Sequence, residues 1–209
     1  MKNSHINRFL PLLLIFVALT FGCRKELDKT PLDQFSNEDF WTSEQNIMQA
    51  LTGVYRGGIQ MLVSPTGAEF SATDWWSYHG LLYLEFATDN AYDRRGDNSG
   101  YNTLTNGTLT ANNSYLDNYW TASYKRIARC NFFLENIGKA TIAAAKVNRM
   151  TAEVNFVRAC KYFYLSQYFG AVPLVTKTLT LPEANTVTKA SKDQVQDFVE
   201  AELKTIAPA

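Results

Sequence analysis

The sequence predicts a mainly α-helical domain with a long irregular loop region near its middle. Three stretches repeat apolar residues every three or four positions, at 43–56, about 115–137 and 149–169. Residues 64–114 are instead dense in Gly, Asn, Asp, Ser, Thr and aromatic residues. Paired helices of this length suggest a scaffold of helix pairs like those of tetratricopeptide repeats (TPR-like), although no clean sequence period of about 34 residues is present.

Local signals predict where the first two helices begin and end. Two overlapping N-terminal capping signals fall within residues 36–45, ahead of the apolar repeat at 43–56. A Gly-Gly pair at 57–58 would end this first helix. Gly138 stands where the second helix would stop. An Asn-Gly pair at 106–107 in the loop region could close a small β-hairpin.

The third helix and a fourth are bounded in the same way. The apolar arc of residues 149–169 is broad, which predicts a helix buried on more than one side. Gly170 would end it. Ser191, with Gln194 three residues later, has the spacing of a capping box and predicts a last helix.

The N-terminus has the pattern of an export signal. Lys2 and Arg8 precede an apolar run from Phe9 to Gly22. Since a membrane-spanning helix needs about 20 apolar residues, this shorter run fits the apolar core of a cleaved signal peptide at residues 1–22. Export of the protein follows.

Cys23 directly follows this segment. The pentapeptide Leu19 to Cys23 is similar to the lipobox of bacterial lipoproteins, in which the cysteine is acylated, for example with palmitate, and becomes the new N-terminus. The alternative is an ordinary signal peptide followed by a chance cysteine. We predict that Cys23 is a lipid anchor, with residues 23–35 as an extended tether and 36–209 as the folded domain.

The charge balance and the cysteine positions give two further expectations, one about partners and one about a disulfide. Without residues 1–22 the chain holds 18 basic and 20 acidic residues, a balance that gives no reason to expect nucleic acid as a partner. Cys130 and Cys160 remain after Cys23 is assigned. Export permits a disulfide between them, but their positions among apolar helical residues favour small buried side chains.

Several motifs in order resemble the N-terminal part of the SusD/RagB family of outer-membrane nutrient-uptake lipoproteins. In that family a Pro-containing tether leads to Phe-Trp, and a Trp-x3-Tyr-x2-Ile helix carries an Asn. A helix that carries Glu, Phe and an Arg-Ala pair then runs into Tyr-Phe and Gly-x-Val-Pro-Leu. The matching residues here are Phe40, Trp41, Trp120, Tyr124, Ile127, Asn131, Glu153, Val157, Arg158, Ala159, Tyr162, Phe163, Gly170, Val172, Pro173 and Leu174. Val157 stands where the family often has Leu. We interpret Trp120, Tyr124, Phe163 and the Arg158-Ala159 pair as helix-packing determinants, and Asn131 as a buried, hydrogen-bonded side chain that fixes helix register.

The resemblance implies a SusD-like α-helical scaffold and a function in nutrient capture. It implies a cell-surface lipoprotein of the outer membrane that binds a glycan or oligosaccharide and acts with a SusC-like TonB-dependent transporter. Family members are typically more than twice as long as this chain, so we expect the sequence to be truncated at its C-terminus relative to the family, either as a fragment or as a shortened gene product. The implied function needs no catalytic residue, metal or cofactor.

The loop region supplies the candidate ligand-binding residues. Aromatic faces stack against the apolar faces of sugars, while Asp, Asn and Arg supply directional hydrogen bonds. The alternative is that many of these aromatic side chains form a local core under the loops. The predicted contacts are Trp75, Trp76, Asp89, Asn90, Arg94 and Tyr101.

Two other functions are weaker hypotheses. A helical protein-interaction scaffold would share the helices but bind no small ligand. A secreted glycan hydrolase would need paired carboxylates, for which Glu69, Asp74, Glu85 and Asp89 are the candidates. The sequence has only two His residues, one of them in the signal segment, and no GxSxG, HExxH or Walker-type motif. Binding without catalysis is therefore the favoured function.

Overall fold

Helices dominate the part of the chain that can be described. The computed structural model describes residues 40–56, 62–63, 69–70, 85–96, 99 and 101–207. Within these ranges the helices are α1 (Glu44–Arg56), α2 (Ser114–Asn136), α3 (Ala144–Phe169), α4 (Leu181–Ala184) and α5 (Lys192–Ile206). Short 3-10 turns cover Asn102–Leu104 and Ile137–Lys139. The predicted mainly α-helical fold is confirmed.

Two very short antiparallel sheets accompany the helices. Strand β1 (Leu62–Val63) pairs with β2 (Glu69–Phe70), with Leu62 opposite Phe70. Strand β3 (Val172–Pro173) pairs with β4 (Lys189–Ala190), with Val172 opposite Ala190. The second pair joins the two ends of the connection between α3 and α5, so this connection is closed at its base.

The predicted helix boundaries hold best where a capping residue or a glycine sets them. Helix α1 begins one residue after the predicted start. The Ser191 capping box is present, because Ser191 Oγ accepts from Gln194 N at 3.2 Å and Gln194 Oε1 accepts from Ser191 N at 2.8 Å. Helix α3 starts at Ala144, five residues earlier than predicted, and Gly170 ends it with φ of 69°. Only a residue without Cβ adopts that φ at low cost.

One local prediction held only in part, and another was wrong. Helix α2 ends at Asn136, and Gly138 lies inside the following 3-10 turn without a left-handed φ. The Asn136 side chain bonds the Phe132 carbonyl oxygen at 2.8 Å instead. Asn106 and Gly107 close no hairpin, because the 3-10 turn Asn102–Leu104 occupies the place of its first strand. Gly107 does adopt a positive φ, of 82°.

The long helices pack side by side around α3. Asn131 meets Arg158 and Trp120 meets Phe169, so α2 and α3 run antiparallel. Tyr162 of α3 contacts Phe198 of α5 where these two helices pack together. Helix α1 also packs against α3, where Tyr55 contacts Glu153. This arrangement agrees with the predicted burial of α3 on more than one side.

The core lies between α2, α3 and α5. Its buried residues are Tyr119, Ile127, Ala159, Tyr162, Leu165, Val172, Val195 and Val199. Trp41, before α1, is fully buried and meets the Phe133 ring edge-on at 5.5 Å between centroids. Burial of one such large side chain contributes roughly 1.5–3 kcal/mol. Phe156 and Phe163 are half-exposed, so the apolar arc of α3 is wider than its buried face.

The two helical cysteines are free thiols. Cys130 is buried and Cys160 is partly exposed. The alternative of a disulfide between them was wrong, and the interpretation as small apolar side chains fits Cys130 fully. Burial raises the pKa of the Cys130 thiol to about 12, so it stays protonated at neutral pH.

Several predictions fall outside the described residues. These are the signal peptide at 1–22, the anchor Cys23, the tether at 23–35, and Trp75 and Trp76. They stay predictions. Among the helices that the structure does describe, none combines the length and the apolar character needed to cross a membrane.

Candidate functional site

A buried asparagine organises the described part of the loop region. Asn102 is fully buried. Its Oδ1 accepts from Asp93 N at 3.0 Å, and its Nδ2 donates to the Asp93 and Gly96 carbonyl oxygens at 2.9 Å each. These three bonds replace the regular pairing that a strand or helix would give. They fix the chain from 93 to 96 against the 3-10 turn.

Asp93 strengthens the same turn. Its carboxylate accepts from Arg95 N at 3.1 Å and from Arg95 Nε at 2.8 Å. The Arg95 guanidinium, followed by the Ser99 hydroxyl, holds the pKa of Asp93 well below its usual range. Asp93 is therefore ionised across physiological pH and committed to this internal ion pair.

An open groove lies beside this turn. It has a volume of about 600 Å³ and is lined by Thr88, Asp89, Asn90, Ala91, Tyr92 and Thr105. Thr88 stabilises the backbone of the groove wall from residue 85 to residue 90. Its Oγ1 donates to the Glu85 carbonyl oxygen at 2.7 Å and accepts from Asn90 N at 3.2 Å. The groove thus combines a carboxylate, an amide, hydroxyls and an aromatic ring on a hydrogen-bonded backbone.

The structure brings together only part of the predicted ligand site. Asp89 and Asn90 are exposed and line the groove. Arg94 is exposed but is not among the residues of its wall. The Tyr101 side chain is 1% exposed, so it belongs to the core under the loops, which is the alternative that the sequence left open.

Tyr92 also lines the groove, although the sequence did not predict it as a ligand contact. Its side chain is 61% exposed. The sequence carried no signal for its outward direction, because that direction depends on the hydrogen bonds between Asn102 and residues 93–96.

The helical motif residues serve a different purpose. Asn131 Nδ2 donates to the carbonyl oxygens of Val175 and Lys177, at 3.0 and 3.2 Å. Tyr124 Oη donates to the Pro173 carbonyl oxygen at 2.8 Å. We call residues 172–178, which these side chains hold, the strap. The predicted buried and hydrogen-bonded state of Asn131 is confirmed, and it fastens the strap to α2.

Two further motif residues hold the strap from α3. Tyr162 Oη donates to the Val175 carbonyl oxygen at 2.8 Å and accepts from Val175 N at 2.7 Å. Arg158 Nη1 donates to Asn131 Oδ1 at 2.8 Å and to the Thr176 carbonyl oxygen at 3.4 Å. Both side chains are buried. The interpretation of Arg158 as a packing determinant is confirmed.

Arg158 and Glu153 of α3 form ion pairs with different partners. Arg158 Nη2 bonds Glu202 Oε2 of α5 at 2.8 Å, and the Arg158 guanidinium lies over the Phe198 ring. Glu153 instead pairs with Arg149, one turn earlier on the same helix, at 2.9 Å. Arg158 is therefore a link between helices α3 and α5 rather than a ligand-binding cation.

A second groove is formed by α3 and α5. It has a volume of about 470 Å³, and Phe163, Val199 and Leu203 give it a mainly apolar wall. Leu203 is 37% exposed. Such a surface offers few directional hydrogen-bonding groups, so the groove at 88–92 is the better candidate for a polar ligand.

No metal centre is evident in the part of the chain that the structure describes. There, no three or more His, Cys, Asp and Glu side chains are grouped closely enough to hold an ion.

Comparisons with known proteins place this geometry in a family. The profile of a SusD-like family, described as starch-binding and associating with the outer membrane, matches residues 27–207. SusD-like protein P25 of Formosa agariphila is 25% identical over 206 residues, which cover 92% of this chain and 36% of that protein. The chain therefore spans about a third of that relative.

Solved structures agree. A SusD-like carbohydrate-binding protein of Bacteroides fragilis is 44% identical, with a TM-score of 0.72, over 81% of this chain and 32% of that one. A laminarin-binding SusD-like protein shares the fold at 24% identity and a TM-score of 0.63, over 79% of this chain and 34% of that one. Because the family profile matches residues 27–207, which is most of the chain, and the helices superpose, the chain belongs to the SusD-like family.

Proposed function

We propose that this chain is part of a glycan-binding lipoprotein at the outer-membrane surface, which captures glycan for a SusC-like TonB-dependent transporter. The observation that carries the proposal is the open groove at 88–92 in a chain that is 44% identical to a SusD-like carbohydrate-binding protein. Binding, without bond cleavage, is the whole of the proposed activity.

The groove has the chemistry that a neutral glycan needs. The Asp89 carboxylate accepts hydrogen bonds from sugar hydroxyls, and the Asn90 amide can both donate and accept. Thr88 and Thr105 add hydroxyl groups at the wall. An open groove admits a segment within a longer chain, whereas a closed pocket would admit only a chain end.

The groove favours binding over hydrolysis. Glycoside hydrolysis canonically uses two carboxyl groups about 5–9.5 Å apart across the scissile bond. Asp89 is the one carboxylate among the described residues that line the groove. A second acid at the correct distance would be needed before this site could cleave a glycan.

Electrophoresis in native gels that contain soluble starch or laminarin tests the proposal. The purified chain should migrate more slowly in at least one of these gels than in a gel without polysaccharide. Asp89→Ala combined with Asn90→Ala should restore most of the mobility, because the double variant removes the groove's strongest hydrogen-bonding groups. Recovered polysaccharide should show no new reducing ends. Equal mobility in all gels argues against glycan binding, and new reducing ends argue for an enzyme.

Attachment to the membrane is the second part of the proposal. We propose that Cys23 carries the acyl chains, each buried methylene of which contributes about 0.8 kcal/mol to membrane affinity. The intact mass of the mature protein from outer membranes should equal a chain that starts at Cys23 plus acyl groups. A mass without acyl groups would leave the protein as an ordinary secreted one.

The transporter partner is the third part. After detergent extraction of native membranes, a SusC-like barrel should co-purify with the lipoprotein. Absence of any such barrel would favour the alternative of a helical scaffold for other partners.

Trp75 and Trp76 stay candidate contacts, and their replacement by Ala should weaken glycan binding while the helical circular dichroism is unchanged.

A further inference from the structure

We infer that Tyr92 is the stacking platform of the groove at 88–92 and takes the apolar face of a pyranose ring. This inference rests on the proposed glycan binding and adds the residue on which the sugar lies. Nothing in the sequence pattern assigned it, since the ligand prediction named its neighbours and not Tyr92 itself.

The exposure of Tyr92 sets it apart. At 61% it is the most exposed aromatic side chain among the described residues, followed by Tyr55 and Phe156 at 50% each. Those two lie on helices, and Tyr55 donates its hydroxyl hydrogen to Glu153 at 3.0 Å. Tyr92 lies in the wall of a groove, on a loop. A large ring left open to water at a concave polar surface is the arrangement that sugar stacking needs.

The backbone on both sides of Tyr92 is fixed by hydrogen bonds. On one side, Asn90 N donates to Thr88 Oγ1 at 3.2 Å. On the other side, Asp93 N and its carbonyl oxygen are both bonded to the Asn102 side chain. A side chain on such a preorganised loop loses less conformational entropy when a ligand binds.

The far end of the side chain is also supported. A Cβ atom placed on Gly96 would lie 4.0 Å from the Tyr92 hydroxyl oxygen, so this end of the ring lies over the turn at 93–96. Gly96 has φ of 61°, a conformation that favours glycine. The Tyr92 hydroxyl therefore lies close to the turn at its glycine.

The polar neighbours complete a sugar-binding arrangement. Asp89 and Asn90 lie three and two positions before the ring, in the same groove wall. A pyranose whose C–H face rests on Tyr92 keeps its hydroxyls at its edge, where a carboxylate and an amide can bond them. This division between an apolar face and a polar edge selects hexopyranose units over linear polyols or peptides.

Substitutions at Tyr92 in the full chain test the inference, with native affinity electrophoresis in soluble starch and in laminarin as the assay. Tyr92→Ala should raise the apparent Kd at least about tenfold, which corresponds to about 1.4 kcal/mol. Tyr92→Phe and Tyr92→Trp should each stay within about threefold, since both keep a ring for stacking. Phe156→Ala, which removes a half-exposed ring on α3, is the matched control and should leave binding unchanged.

The outcomes separate this inference from the proposed function. If the wild-type chain binds glycan and Tyr92→Ala binds equally well, the stacking role is overturned while glycan binding stands. A loss in Tyr92→Phe as large as in Tyr92→Ala also overturns it, because the hydroxyl and not the ring would then matter. If the wild-type chain binds neither polysaccharide, the proposed function fails and this inference with it. Thermal melting of each variant identifies any that lose binding by unfolding.

Discussion

At the scale of single residues, the family motif is explained by hydrogen bonds to one extended segment. Tyr124, Asn131, Arg158 and Tyr162 all reach backbone atoms of the strap at 172–178. A strap without regular pairing over most of its length needs side chains to bond its carbonyl oxygens. These motif positions therefore stabilise the fold.

Asn131 bonds both the strap and Arg158, and its replacement tests the point. Asn131→Ala removes two hydrogen bonds to the strap and the one from Arg158, which should lower the free energy of unfolding by about 2–4 kcal/mol. Asn118→Ala, an exposed position on the same helix, should change it by less than about 0.5 kcal/mol. Urea unfolding followed by circular dichroism measures both. Equal effects of the two substitutions would contradict the strap's dependence on Asn131.

Cys130 gives a second test at this scale. Its thiol is fully buried and burial raises its pKa to about 12, whereas Cys160 is partly exposed. Native protein treated with iodoacetamide at about pH 8 should be modified at Cys160 well before Cys130, because only the exposed thiolate reacts. In guanidinium chloride both should react. Rapid native modification of Cys130, located by peptide mass spectrometry, would mean that the contact between α2 and α3 is looser than described.

At the scale of elements, two glycines near helix ends differ in what they do. Gly170 ends α3 with φ of 69° and ψ of −112°, and its N–H bonds the Ser166 carbonyl oxygen at 3.1 Å. Gly138, after α2, needs no such conformation. A sequence pattern cannot separate these cases, because both glycines follow an apolar helical repeat.

Alanine substitutions distinguish the two glycines. Gly170→Ala should destabilise the protein by about 1–2 kcal/mol through left-handed backbone strain. Gly138→Ala meets no atom within 4 Å and should be neutral or slightly stabilising, since Ala lowers the entropy of the unfolded chain. Thermal melting provides the comparison. A larger loss at Gly138 than at Gly170 would contradict the boundaries of α2 and α3.

The stability of the short helix α4 depends on pH through the ionisation of the Glu183 carboxyl group. Its carboxylate accepts from Lys177 Nζ at 2.5 Å and from Thr180 N and Oγ1 at 2.8 and 2.9 Å. The Lys177 ammonium, then the Thr180 groups, lower the pKa of Glu183 from 4.5 to about 2. Because the folded pKa is lower than the unfolded one, the interaction is fully present above pH 4.5 and is lost as the pH falls through about 2.

Carbon-detected NMR titration of the Glu183 carboxyl measures this directly. We expect a midpoint below about 3, against an ordinary Glu value near 4.3. The amide signals of residues 180–185 should change over the same pH range in the wild-type protein and not in Glu183→Gln. A midpoint at the ordinary value would show that the Lys177 and Thr180 contacts are absent in solution.

Most elements were predictable because their determinants are local. The capping box at Ser191 and the glycine at 170 set helix ends through nearest neighbours in sequence. Helix α4 was missed, since four residues carry no apolar periodicity and only Thr180 with Glu183 marks its start. The strands were missed for a different reason, because two-residue pairings such as Val172 opposite Ala190 depend on tertiary contacts.

At the scale of the whole molecule, helices form the scaffold and a loop bears the groove. The candidate site was predictable only in part. Asp89 and Asn90 are polar residues in a loop-forming sequence, and they do line the groove. Whether Tyr92 or Tyr101 faces outward depends on the hydrogen bonds of buried Asn102, which join residues far apart along the loop and leave no periodic signal.

Binding of fluorescent polysaccharide to intact cells shows whether this SusD-like chain binds glycan at the cell surface. Cells that express the protein with its own signal segment should bind fluorescent starch or laminarin more strongly than cells without it. Cys23→Ala should abolish this cell-associated signal while the secreted variant keeps its affinity in native gels. Cells with the wild-type protein that bind no more polysaccharide than cells without it, despite confirmed surface exposure, would contradict the account.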